Sequence, residues 1–146
     1  MTTADPEQVV AVARDWLGTP YLHQASMRGA GADCLGLARG VWREVVGAEP
    51  HPAPPYSRDW GEIGAREVLA SAAAAWMIPL HPEQREPGDL ILFRMRRGAP
   101  AKHCGILTAP ERFIHSYERL GVVEEWLSEF WRRRIAFAFR YPKGDG

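Results

Sequence analysis

Asp33-Cys34-Leu35-Gly36-Leu37-Ala38-Arg39-Gly40-Val41-Trp42 is the stretch on which the fold turns. Leu37, Ala38, Val41, Trp42, Val45 and Val46 recur at three- and four-residue spacing, which predicts a largely buried helix, and Gly47 supplies a stop. Asp33 fits as its N-cap. Cys34 then falls in the first turn, where unpaired backbone N–H groups and the helix dipole favour negative charge. A thiol attacks as the thiolate, so this is a position that activates a cysteine. Asp33, an anion next door, partly opposes thiolate formation, which makes a cationic partner necessary. Judged alone, a cysteine is more often a small core residue and an aspartate only a cap. Gly36 and Gly40 each cost about 1 kcal/mol in a helix interior relative to alanine. Their presence points to close backbone packing on that face; the plainer reading is a weak helix.

Upstream, Asp5-Pro6-Glu7-Gln8 combines an N-cap, a proline at the first helical position and a capping-box glutamine. With Val9, Val10, Ala13, Trp16 and Leu17 at helical spacing, it predicts a helix over about Pro6 to Leu17, stopped by Gly18-Thr19-Pro20. Tyr21 to Ala32 reads as a loop. Downstream, His51-Pro52-Ala53-Pro54-Pro55 and the following Tyr56 to Trp60 read as an extended segment suited to lining a groove. Glu62 to Met77 is alanine-rich and predicts a third helix, a scaffold element.

After Pro87-Gly88-Asp89 the period changes. Leu90 to Phe93, Cys104 to Thr108 and Phe113 to Tyr117 are short apolar runs bounded by turn residues, and Ile135, Phe137, Phe139 and Tyr141 alternate as in a final strand with one buried face. Leu127 to Arg134 suits a short helix between them. Helices first and strands second give an α+β chain, with the N-terminal helices packed on a small antiparallel sheet.

The cationic partner is sought among five histidines. His51 and His81 each precede a proline in irregular segments and are set aside. His103 opens one strand and His115 lies in the next, joined by a turn near Ala109-Pro110-Glu111. Their separation is even, so an even register sum puts both rings on one face and an odd sum separates them. In the even register His103 meets the thiol and His115 holds the imidazole from behind, as the third member of a catalytic triad does. Alternation turns Cys104 to the other face, towards the core. The plainer reading of both histidines is a satisfied sheet residue. His23 has only its nearness in sequence to place it at a cleft, and Arg132-Arg133-Arg134 is most simply a solvated face.

The totals narrow the classes. A chain of 146 residues with 46% apolar content suits one domain over 1–146. Eighteen basic against eighteen acidic side chains leave no polyanion footprint, so nucleic acid is not an expected partner. No apolar run reaches the roughly 18 residues of a membrane span, and the start lacks the basic and apolar parts of a signal peptide. Synthesis in the cytoplasm without export by the usual route is the expectation. Two cysteines form no disulfide framework, and both read as free thiols.

Three stretches together resemble the NlpC/P60 cysteine peptidases, compact papain-like enzymes that cut peptidoglycan stem peptides. They are Gly18-Thr19-Pro20-Tyr21, Asp33-Cys34-Leu35-Gly36-Leu37, and Pro87-Gly88-Asp89-Leu90 with His103-Cys104-Gly105-Ile106 and Ile114-His115. The resemblance implies a papain-like fold with Cys34 as nucleophile, His103 as general base and His115 as the residue orienting it. It further implies Tyr21 as a hydroxyl near the thiol and Asp33 as a contact for the substrate's amino end, with no cofactor and no metal. By the same analogy the bond joins D-glutamate to the diamino acid. Leu35, where a serine usually follows the cysteine, and Cys104, where an aliphatic residue usually follows the histidine, depart from the common pattern. With Gly40-Val41-Trp42-Arg43-Glu44 and Pro54 to Trp60 they resemble the phage-type branch, found with tail genes of phages, prophages and gene transfer agents. That branch implies tail tip or baseplate proteins as partners, a place in a phage-like particle, and local opening of the wall in the periplasm for DNA delivery. The competing readings are a non-catalytic structural or adaptor module of a tail tip, and a zinc site built from Cys34, His103 and His115, which lacks any short ligand pair.

Overall fold

The computed structural model describes residues 2–50 and 67–144. Helix α1 spans Pro6–Asp15, with Asp5 accepting a 3.0 Å bond from the Glu7 N–H and Pro6 in the first turn. It stops short of Leu17 because Gly18 adopts φ 87° and turns its N–H to the Val122 carbonyl. The expected loop after it holds a two-stranded hairpin, β1 (Ser26–Met27) and β2 (Gly31–Ala32). Helix α2 runs Cys34–Val45 and α3 Val68–Trp76. The first part of the helix expected from Glu62, together with His51 and the proposed groove segment Pro52 to Trp60, lies outside the described residues.

The second half contributes β3 (Ile78–Leu80), β4 (Leu90–Phe93), β5 (His103–Ala109), β6 (Arg112–Tyr117), β7 (Gly121–Trp126), the short helix α4 (Glu129–Arg132) and β8 (Ile135–Arg140). The sheet is antiparallel, in the order β3-β8-β4-β5-β6-β7. Its two edge strands went unread in the sequence. β3 carries Pro79, which the ladder tolerates at an edge, and β7 is half polar.

Both faces of the sheet are covered. On one, Leu90, Leu92, Cys104, Ile106, Ile114 and Phe139 pack with Val9 and Ala13 of α1 and Leu37 and Val41 of α2. On the other, Ile91, Phe93, Leu107, Phe113 and Ala138 pack with Leu127 and with Trp131 of α4. The last strand therefore does not have a single buried face. Its alternation also breaks: Phe137 and Phe139 join the helix side, whereas Ile135 joins the other. A register shift is the cause, since Leu92 pairs with Phe137 but Phe93 pairs with Ile135.

Both helix glycines mark close approaches. A Cβ on Gly36 would lie 1.8 Å from the Ala25 carbonyl oxygen, and one on Gly40 would lie 2.1 Å from the Trp16 ring. The nucleophile helix is thus pressed against the preceding hairpin and α1. Pro87-Gly88-Asp89 is an anchor for β4: buried Asp89 takes two 2.9 Å bonds from the Arg140 guanidinium.

Candidate active site

Cys34 is the first residue of α2, and its position is fixed on both sides. Behind it, Ala32 donates its N–H to the Pro20 carbonyl and its carbonyl accepts both the Leu22 N–H and, at 2.6 Å, the Ser116 hydroxyl of β6. Ahead of it, Asp33 Oδ1 accepts the Gly36 N–H at 2.7 Å, while Asp33 Oδ2 accepts the Gln24 N–H at 2.7 Å. Asp33 is therefore the helix cap and also ties down the loop. The thiol lies at the mouth of β5, with Cys34 Sγ 3.9 Å from the Lys102 carbonyl oxygen.

Cys104 follows the expected alternation into the helix-side core, but it is more than filler. Its Sγ lies 3.3 Å from the Cys34 carbonyl oxygen, and its S–H is shared with the Cys34 sulfur. That hydrogen bond holds the Cys34 thiol well below its ordinary pKa; burial opposes it, and a hydrogen bond and charge from His103 add to it. The same contact, with burial, pushes Cys104 up, so of the two thiols Cys34 is the one that gives up its proton more readily.

The two histidines meet as the even register requires. Ile106 pairs with Ile114 and Leu107 with Phe113, which sets His115 diagonal to His103 on one face. His103 Nε2 and His115 Nδ1 are 2.8 Å apart. Opposite His115 the chain has Gly105, whose missing side chain leaves room for the imidazole: a Cβ there would stand 3.2 Å from His115 Cβ. With Nε2 engaged, Nδ1 is the nitrogen His103 has for the thiol.

The sequence did not disclose the surroundings of this pair. Trp131 of α4 lies over it, with ring centroids 5.6 Å from His103 and 5.1 Å from His115, and Phe93, Phe113 and Tyr117 complete an aromatic box. His115 is fully buried, and that burial, helped by His103, lowers its pKa to about 4 against the opposing pull of Glu125. It is neutral at pH 7. Its outer nitrogen, Nε2, lies 2.5 Å from Glu125 Oε2 on β7. Both nitrogens of His115 are thus engaged in hydrogen bonds.

Cys34 and His103 open on a cleft of about 360 Å³ that Tyr21, His23, Asp33, Leu35, Lys102, Ser116, Tyr117 and Glu118 also line. Tyr21 is held there by a parallel bridge to Ala32. His81 accepts the Glu83 N–H and starts a 3₁₀ turn over Pro82–Gln84, far from this chemistry in role. The arginine run is used locally: Arg132 and Arg134 bond the Leu127 and Phe130 carbonyls, and Arg133 pairs with Glu129.

The NlpC/P60 family profile matches residues 18–140, a span that contains Cys34, His103 and His115. The chain belongs to the NlpC/P60 family. Among curated relatives, the murein DD-endopeptidase MepS/murein LD-carboxypeptidase of Escherichia coli K12 is 28% identical over 127 residues, covering 86% of this chain and 57% of the relative. The gamma-DL-glutamyl hydrolase of Bacillus subtilis 168 is 25% identical over 136 residues, covering 91% of this chain and 29% of the relative. The chain therefore spans about a third to just over half of the length of these two. The NlpC/P60 domain of the peptidoglycan hydrolase SagA superposes with a TM-score of 0.65 at 24% identity, over 92% of this chain and 97% of that domain. A Bacillus cereus NlpC/P60 protein gives 0.65 at 21%, over 95% of this chain and 41% of that protein. Both have the α+β fold expected from the sequence.

Proposed function

We propose that this chain is a cysteine endopeptidase that hydrolyses an amide of a peptidoglycan stem peptide. The observation that carries the reading is Cys34, first residue of a helix, opening on one cleft with His103, whose far nitrogen is held at 2.8 Å by a second histidine, His115. For attack, the Cys34 proton passes to His103, which leaves a thiolate beside an imidazolium. The sulfur attacks the scissile carbonyl, and first-turn N–H groups of α2 beyond the one capped by Asp33 favour the developing oxyanion. His103 gives its proton to the leaving amine, which departs and leaves a thioester on Cys34. His103, now neutral, takes a proton from water as the water oxygen adds to the thioester carbonyl; the C–S bond then breaks, restoring the thiolate beside the imidazolium, and the acid product leaves as carboxylate with its proton passed to solvent. Tyr21 stands at the wall of the cleft, and Asp33 is our candidate contact for the substrate's amino end.

One relative supports this substrate class by name, the murein DD-endopeptidase/murein LD-carboxypeptidase, and the other is named for a gamma-DL-glutamyl bond. We favour the D-glutamyl-diamino acid bond. Leu35, Cys104 and the Gly40 to Glu44 run support a phage-type enzyme carried with tail tip proteins of a phage-like particle and acting on the wall during DNA delivery. Mass analysis of muropeptides released from purified sacculi tests the activity and the bond together. The native protein is expected to release fragments cut at one bond, and Cys34→Ala none. Equal release by the Cys34→Ala protein would overturn the proposal.

A further inference from the structure

One carboxylate at this site has no part in the triad. Glu125 sits on the edge strand β7, paired opposite Phe113 and so diagonal to His115 on the histidine face, while its neighbour Glu124 turns to Thr108 and Arg14 on the other. A carboxylate only accepts, so the hydrogen in the 2.5 Å contact belongs to His115 Nε2. A neutral His115 with its hydrogen on Nε2 offers a bare lone pair at Nδ1. His103 Nε2, 2.8 Å away, must then be the donor of that bond. His103 is left with Nδ1 free of hydrogen when neutral, which is the form of a base facing the thiol. When it takes the thiol proton, both of its N–H groups are already aimed at acceptors, the sulfur and His115 Nδ1, and nothing has to turn.

The opposite arrangement is chemically permitted without Glu125. His115 would carry its hydrogen on Nδ1 and donate it to His103 Nε2, forcing the His103 hydrogen onto Nδ1. His103 would then have no lone pair for the thiol, and the thiolate would lose its partner cation. We propose that Glu125 is a positioning residue which sets the direction of the chain Cys34, His103, His115, Glu125 and thereby keeps His103 the base. The proposal rests on the reading of Cys34 and His103 as nucleophile and base. The ionisable groups facing His115 are His103 from β5, Tyr117 from its own strand and Glu125 from β7, and α4 adds the Trp131 ring. Around Cys34 and His103 the cleft adds His23, Asp33, Lys102 and Glu118, which stay the same in every variant below.

The test is the pH dependence of alkylation of Cys34 by iodoacetamide in the full chain, with the adduct located by peptide mass mapping. This needs no wall substrate. For native protein, reactivity is expected to persist well below the range of an ordinary thiol. In Glu125→Gln, whose amide presents a donor as readily as an acceptor, the midpoint of the profile is expected to rise by about one pH unit. At neutral pH the hydrolytic kcat is expected to fall about tenfold with KM little changed. Glu125→Asp should restore part of both, and Glu125→Ala should not. A folded Glu125→Gln protein whose alkylation profile overlays that of the native protein would overturn the proposal. If that variant does not fold, nitrogen-15 NMR of the histidine rings in the native protein decides instead: a hydrogen on His115 Nε2 supports the proposal and one on Nδ1 overturns it. Native protein that alkylates as expected yet leaves sacculi intact would count against the proposed substrate and not against Glu125.

Discussion

The sheet presents two faces to one reaction, and they are built by different physics. The helix face holds the nucleophile by backbone proximity, with Gly36 under the Ala25 carbonyl, Gly40 under Trp16 and Ala32 pinned by Ser116. The histidine face holds the base by enclosure, with an aromatic box around two imidazoles and a single hydrogen-bonded line running out to Glu125. β5 belongs to both, since consecutive residues His103 and Cys104 point to opposite faces and each touches Cys34 through its own group. A change on the helix face should therefore be felt as a change of fold, and a change on the histidine face as a change of proton affinity.

The largest effect tests whether that division holds. Trp131→Ala empties the roof over both imidazoles, and a buried tryptophan truncated to alanine costs about 4 kcal/mol of stability, read from a denaturant midpoint. The same variant lets water reach His115, so NMR titration should show its pKa climbing from about 4 towards 6.5. An unchanged titration would show that enclosure by Trp131 is not what neutralises it. Next comes Gly36→Ala, whose Cβ meets a carbonyl oxygen at 1.8 Å and forces the α2 start away from the hairpin. A loss of about 3 kcal/mol is expected, with the His115 titration unmoved. If that titration shifted as well, the two faces would not be separable.

The third effect is in pH. His115 has its folded pKa below its unfolded value, so between about 4 and 6.5 the unfolded chain binds the extra proton. The stability held above pH 6.5 is lost as pH falls through this window and levels off below it. At about 1.4 kcal/mol per pKa unit, the shift from 6.5 to about 4 sets a loss of about 3 kcal/mol from this residue, the opposing pull of Glu125 already included. His115→Asn should flatten that part of a stability profile. A slope that survives the substitution would assign it to other groups.

The two faces also differ in how far they could be read from the sequence. The helix face was legible, because cap, nucleophile and the three- and four-residue period of Leu37, Val41 and Val45 are local, and close packing was one of the two readings the glycines allowed. The histidine pair was legible as a parity argument. What surrounds it was not. Glu125 lies in a strand whose edge position lets it carry two glutamates, so β7 has no apolar alternation to betray it. Trp131 sits in a helix of four residues, too short for a period. Cys104 read correctly as core, but its contact with Cys34 joins residues 70 apart and has no local sign. Ile135 misled the alternation because a bulge is invisible without the partner strand.

The same kind of irregularity has a further consequence at the tip of the β5–β6 hairpin. Ala109 pairs with Arg112 across a two-residue turn, a register with an odd sum, yet Leu107 pairs with Phe113 in an even one, and Thr108 takes up the difference. Carried straight through, the register at the turn would have sent His115 to the opposite side of the sheet from His103. Thr108, tied by its hydroxyl to Glu124 at 2.7 Å, therefore acts as a counting device. Length variation at this tip is filtered by parity: adding or removing residues in pairs leaves the imidazoles facing one another, while any single insertion or deletion that the bulge does not absorb disconnects the base from its support without touching either histidine.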